Sequence, residues 1–187
     1  LAPGDQDHRI FAVGALGVPA GKNGGGIFDD DTHLASYRFK RRKSSGKFPK
    51  IPDVGILNEC GKLFVTLVKP ESLLVPVNED ASASPPAVDP QTSLVDHFLC
   101  YKAKAQKNRA FDGATVAVLP NGVQLEAADH LQSRRYDVKK VTRVCLPVDK
   151  SGNPVVLKTG APRPITPSFL RHPESDLVCY QVKLAKR

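Results

Sequence analysis

Four cysteines are the residues of this chain whose chemistry is easiest to name. They are Cys60, Cys100, Cys145 and Cys179. None forms a Cys-x-x-Cys pair, and none has a histidine at zinc-ligand spacing. An even number of widely spaced cysteines predicts two structural disulfides made in an oxidising compartment. The five histidines, His8, His33, His97, His130 and His172, have no Ser or Cys nucleophile at a recognisable distance in sequence. There is no phosphate-binding Gly-Lys-Ser/Thr loop, no Gly-x-Ser-x-Gly elbow and no His-Glu-x-x-His. The sequence therefore points to no catalytic residue and no cofactor.

One run could hold a cation. Asp29-Asp30-Asp31-Thr32-His33 places three carboxylates in a turn, the hard oxygen set that Ca²⁺ prefers. Its spacing is not that of an EF-hand loop. Similar acidic residues, Asp96-His97 and Glu174-Ser175-Asp176, precede other predicted strands, so an acidic turn is the preferred reading and no metal is expected. The glycines between positions 21 and 26 lack the strand–helix context of a phosphate cradle.

The formal net charge is +8. The cations cluster: Lys40, Arg41, Arg42 and Lys43; Lys102, Lys104, Lys107 and Arg109; Arg134, Arg135, Lys139, Lys140 and Arg143. Such a surface attracts an acidic polymer or an acidic partner. Single-strand readers also need exposed aromatics for stacking. Here Tyr37 and Phe39 fall on the predicted core face, so specific nucleic-acid recognition is not expected.

The elements that position these residues are short strands. The 187 residues include 16 Pro and 14 Gly, and aromatics make up only 6%, which favours strands and turns over long helices. No Met occurs, so a processed start with any signal peptide removed is expected. No run of about eighteen apolar residues is present, and so no helical membrane span.

Self-similarity organises the chain. His33-Leu34-Ala35-Ser36-Tyr37-Arg38-Phe39-Lys40, His97-Phe98-Leu99-Cys100-Tyr101-Lys102-Ala103-Lys104 and Asp176-Leu177-Val178-Cys179-Tyr180-Gln181-Val182-Lys183 align. So do two longer stretches, Val65 to Asn78 and Tyr136 to Asp149, with Pro76 matching Pro147 and, more weakly, Phe48 matching Phe111. Alternation puts Leu99, Tyr101 and Ala103 on an apolar face, and Phe98, Cys100, Lys102 and Lys104 on a face that starts buried and ends in water. The tyrosine of each segment is expected in the core, its hydroxyl reaching a partner at the rim. Leu125 to Arg135 carries good helix formers and predicts an inserted turn or short helix.

The resulting organisation is a Gly-rich extended leader (1–28), a β unit (29–78), an Ala/Ser/Pro linker (79–94), a second β unit (95–150), a Pro-rich connection (151–175) and a closing strand with a basic tail (176–187). The expected class is mostly β: two degenerate repeat units, sandwich- or barrel-like, with a closing C-terminal strand and disulfides. Two pairings fit. Unit one has Ser36 and Leu74 where unit two has Cys100 and Cys145, which favours Cys100–Cys145 with Cys60–Cys179. Alternatively Cys145 pairs with Cys179 and Cys60 with Cys100, which is preferred because it explains an appended cysteine strand.

The segments His97 to Lys104, Val65 to Pro70 and Cys145 to Lys150 together resemble an uncharacterised repeat domain of secreted bacterial proteins. The likeness covers about residues 29 to 184, and departs from the pattern at Ser36 and Leu74. It implies an extracytoplasmic β module and transfers no catalytic residue. The expectation is a non-catalytic structural or interaction subunit, secreted or at the cell surface or in the periplasm. It would bind other protein subunits in a larger assembly or filament, with 1–28 as a docking arm. A binder of acidic polymers or surfaces is the second reading, and an enzyme of unknown type the third.

Overall fold

In the computed structural model the described residues are 8–17, 21–22, 32–41, 46–58, 60–78, 95–107, 110–111, 114–115, 122–128, 132–148 and 176–186. Most of them lie in β-strands, and among them there is no helix. The strands are β1 (His8–Gly17), β2 (Gly21–Lys22), β3 (His33–Arg41), β4 (Ile51–Asn58), β5 (Gly61–Val77) and β6 (His97–Ala105). After them come β7 (Ala110–Phe111), β8 (Ala114–Thr115), β9 (Gln124–Ala128), β10 (Ser133–Val148) and β11 (Leu177–Leu184). Nine strands join in one antiparallel sheet ordered β1-β3-β5-β6-β10-β9-β2, with β4 added to β5 and β11 added to β10. The β7–β8 ladder stands apart. The sandwich or barrel was a finer expectation; the described hydrogen-bonded path runs open from β1 to β2.

Two long strands organise this sheet. One edge of β5 pairs with β4 through Gly61 to Leu67 and with β3 through Ser72 to Val77, and its other edge pairs with β6. One edge of β10 pairs with β9 through Ser133 to Asp137 and with β6 through Arg143 to Val148, and its other edge pairs with β11. The registers coincide. Leu34↔Pro76, Ser36↔Leu74 and Arg38↔Ser72 correspond to Phe98↔Pro147, Cys100↔Cys145 and Lys102↔Arg143. Against β6, β5 shifts register between Leu67 and Lys69 and between Pro70 and Ser72. Against β11, β10 shifts at the matching places, between Val138 and Lys140 and between Val141 and Arg143.

Each shift is a bulge that gives the long strand one extra residue. Alternation therefore holds in β6 and fails in β10, where Val138, Val141 and Val144 are all buried at every third position. Pro70, which has no N–H to give a ladder, sits beside a bulge, where it is tolerated.

The sheet buries apolar side chains on both faces. On one, Leu63, Val65 and Leu67 of β5 pack with Tyr101, Ala103, Val141, Val144 and Ile56. On the other, Phe98, Cys100 and Cys145 pack with Leu34, Leu74, Val95, Leu177 and Cys179. As the alternation predicts, Tyr101 is a core residue, and β6 passes from buried Phe98 and Cys100 to exposed Lys102 and Lys104.

Two expectations need correction. Residues 124–128 form β9 and 133–148 form β10, so 125–128 and 133–135 are strand where an inserted turn or short helix was expected, and 129–131 lie outside the described residues. The good helix formers there are overridden by cross-strand pairing, Leu125 lying opposite Tyr136 and Ala127 opposite Arg134; tertiary context outweighs propensity. Residues 1–28 are also not a bare arm. They contain β1, antiparallel to β3 from His8↔Arg41 to Gly17↔Leu34, and β2, paired with β9. Residues 79–94 and 151–175, expected as linkers, lie outside the described residues, as do Asp29 to Asp31.

Ser36 and Leu74 occupy the register of Cys100 and Cys145, so we expect the double variant Ser36→Cys/Leu74→Cys to form a second disulfide within one chain. Thiol titration would find no added thiols, and stability would rise by roughly 3–4 kcal/mol less any strain. Two added reactive thiols would show that the β3–β5 register is not that of β6–β10.

Candidate functional site

The chemistry-bearing residues converge on the β6–β10–β11 face that carries Cys100. Strand β6 places Phe98, Cys100, Lys102 and Lys104 there by alternation. Strand β10 places Cys145 opposite Cys100 and Arg143 opposite Lys102. Strand β11 places Cys179 opposite Arg143. One face thus runs from a buried sulfur cluster to a basic groove.

At the buried end Cys100 and Cys145 stand at disulfide distance. The link spans 45 residues of chain, a constraint that stabilises by roughly 4 kcal/mol in the chain-entropy picture. The preferred pairing of Cys145 with Cys179 is therefore corrected, and Cys60 and Cys179 remain thiols. Cross-strand register decides it: Cys145 stands directly opposite Cys100 on β6, whereas on β11 it faces Leu177 and Cys179 lies opposite Arg143. Alternation along β11 then separates Cys179 from Cys60. Tyr180 packs with the core on the opposite face, where its hydroxyl accepts a 2.8 Å hydrogen bond from Asn58 Nδ2. Asn58 Oδ1 in turn accepts the Cys60 N–H at 2.9 Å. The turn holding Cys60 thus meets Tyr180 on one face, while Cys179 points to the other.

Cys179 nevertheless keeps a partner in reach. Its sulfur lies 3.9 Å from Cys145 Sγ. A Cys179 thiolate could attack Cys145 Sγ, forming a Cys145–Cys179 bond and expelling Cys100 as a thiolate that then takes up a proton. No outside oxidant is needed. Burial pushes the Cys179 thiol above its ordinary pKa, and the Arg143 guanidinium only partly offsets this, so the thiol stays protonated and quiescent at neutral pH. Beside the sulfurs the buried Ser72 hydroxyl makes no hydrogen bond among the described residues.

At the exposed end a groove is lined by Glu71, Lys102, Lys104, Lys140, Thr142 and Arg143. Arg143 Nε donates to Glu71 Oε2 at 2.8 Å. Lys102, Lys104 and Lys140 are exposed and make no ion pair among the described residues. The other cations differ. Lys139 lies 3.2 Å from Asp137, whose carboxyl is held below its usual range by the Gln124 amide and by Lys139. Arg135 lies 3.9 Å from Glu126. Arg134, Lys40 and Lys107 are exposed away from the groove lining. The Arg41 side chain, Arg42, Lys43 and Arg109 lie outside the described residues. The fold thus joins one pair of cations from each of two sequence clusters; the signal that foretold the β6 half was the alternation Cys100, Lys102, Lys104. The β10 half was hidden by the bulges.

Among the described residues no three His, Cys, Asp or Glu side chains gather as metal ligands. No described helix is long and apolar enough to cross a membrane. No protein-family model, no curated protein and no solved structure matches this chain.

Because exchange needs the Cys179 thiolate, we expect the Cys145–Cys179 isomer to appear faster as pH rises toward the raised thiol pKa and only slowly at neutral pH. Acid-quenched, non-reduced peptide mapping at timed intervals reads the rate. A map holding only Cys100–Cys145 at every alkaline pH would mean that the sulfurs do not reach bonding geometry.

Proposed function

We propose that this chain is a non-catalytic, extracytoplasmic structural subunit made of repeated β units, and that it works within a larger assembly. The observation that supports this most is the recurrence of one register and two bulges in β5 and β10. Repeated units that pair edge to edge suit extension, because each unit presents to the next the edge that it takes from the last. The Cys100–Cys145 pair favours an oxidising compartment, and the likeness to a repeat domain of secreted bacterial proteins agrees with it.

A second reading has its own observation. Lys102, Lys104 and Lys140 line one groove on a chain of net charge +8. That arrangement suits an acidic polymer or surface, held by charge and released by salt.

Light scattering on the native, non-reduced chain at low and high salt tests the first reading. We expect a particle far larger than 20.2 kDa, with size retained at high salt; a monomer under both conditions overturns it. For the second reading, Lys102→Glu/Lys104→Glu/Lys140→Glu should weaken retention on a polyanion column by about tenfold or more at low salt. Unchanged elution would remove the groove from consideration.

A further inference from the structure

Two edge strands of the sheet, β1 beside β3 and β11 beside β10, correspond to the two halves of one unit. Strand β1 pairs with β3 through Ala12↔Arg38, Val13↔Tyr37, Ala15↔Ser36 and Leu16↔Ala35, with register shifts between Ile10 and Ala12 and between Val13 and Ala15. Strand β5 pairs with β6 through Lys69↔Lys102, Pro70↔Tyr101, Ser72↔Cys100 and Leu73↔Leu99, with the same two shifts. Strand β10 repeats the arrangement against β11. So β1 corresponds to β5 and β10, and β11 to β3 and β6. The residues agree: Gly17-Val18-Pro19 stands where β5 has Leu74-Val75-Pro76 and β10 has Cys145-Leu146-Pro147.

Each long strand inside the sheet uses both edges. Strand β5 takes β6 on one and β3 on the other, and β10 takes β11 on one and β6 on the other. Strand β1 uses only the edge equivalent to that facing β6, and among the described residues it pairs with β3 alone. Among those residues strand β11 pairs with β10 alone. The strand that β1 lacks is of the β11 kind, and the strand that β11 lacks is of the β1 kind. Exposure marks the same gap. Leu16 of β1 is 49% exposed, while its counterpart Val144 is 2% exposed. Val182 of β11 is 43% exposed, while its counterpart Ala103 is 5% exposed. Val144 and Ala103 are buried where the neighbouring strand is present, and Leu73, the β5 counterpart of Leu16, is half-buried there.

We infer that β11 of one copy of this chain pairs with β1 of another, joining copies head to tail into one continuous antiparallel sheet. This rests on the assembly reading above and names its partner and its register. By the registers of β3–β5 and β6–β10, Cys179 comes to lie opposite Gly17, Tyr180 opposite Leu16 and Gln181 opposite Ala15. Backbone hydrogen bonds carry the attachment, as in other strand additions, and Leu16 and Val182 leave water. The contact joins two different surfaces, so it propagates as a filament or closes as a ring. Screening favours it, since every copy carries net positive charge.

The register provides a direct test. Cys179 would meet Gly17 as Cys100 meets Cys145, and a Cβ at Gly17 makes only ordinary contact with Leu34, at 3.4 Å and 3.7 Å. We expect the full-length Gly17→Cys variant, mildly oxidised, to give a ladder of covalent oligomers on a non-reducing gel. Peptide mapping should find the substituted position 17 of one copy linked to Cys179 of the next. Ala15→Cys should not give that ladder, and adding Cys179→Ser to Gly17→Cys should abolish it. Two edge-blocked variants report independently. Leu16→Asp and Val182→Asp should each stop growth, and an equimolar mixture should yield a one-to-one dimer through the two intact edges. Large particles showing neither that cross-link nor a mixed dimer would overturn this interface while leaving the assembly reading in place. Monomers throughout would overturn both.

Discussion

The bulges in the long strands are the constraint on which the rest of this structure depends. A regular strand of sixteen or seventeen residues would twist steadily and keep one face to one side. Strands β5 and β10 instead take an extra residue at two successive points. Each bulge bends the strand and resets which residues face inward. That is why Val138, Val141 and Val144 can all be buried. It is also why one edge of β5 can serve β4 near one end and β3 near the other. Without the extra residues, Cys145 could not face Cys100 while Val138 and Val141 kept to the core.

The same device explains what could and could not be read from the residues in order. The Cys-Tyr-Lys segments have no bulge of their own, so alternation placed Tyr101 in the core and carried Lys102 and Lys104 out to solvent. The long strands break alternation, and with it the usual signal. Strand β1 was hidden twice over. It is bulged, and its Gly14 and Gly17 give it the composition of a leader. A Cβ at Gly14 would stand 2.9 Å from Arg38 Nε, a contact that the exposed Arg38 side chain can relieve by swinging away. The match of Val18-Pro19 to Val75-Pro76 was the available clue. Strand β9 was read as helical because its residues favour helix, and local propensity says nothing of the β10 ladder that overrides it.

The cysteines show how little spacing decides about pairing. Two pairings satisfied the repeat, and the choice turned on cross-strand register: Cys145 lies opposite Cys100, while Cys179 lies opposite Arg143. Tyr180 is held on one face by the Asn58 amide, so Cys179 must lie on the other, among the sulfurs. Charge was half legible for a similar reason. Runs of Lys and Arg identify a basic protein, but Asp137 and Glu126 lie beside Lys139 and Arg135. The cations that line the groove come from two clusters that the β6–β10 ladder brings together.

The Cys100–Cys145 link also has a mechanical side. A pull across the strands opens a sheet one hydrogen-bonded pair at a time, so the weakest seam between neighbouring strands sets the yield force. The β6–β10 seam is bolted covalently near its middle. The β3–β5 seam has the same register but holds Ser36 and Leu74 at that place. Under load the β6–β10 seam would hold, and the unlinked seams on either side of it, β3–β5, β5–β6 and β10–β11 among them, would give way first. A chain of such subunits would then carry one bolted seam per copy among softer ones, and would extend before it broke.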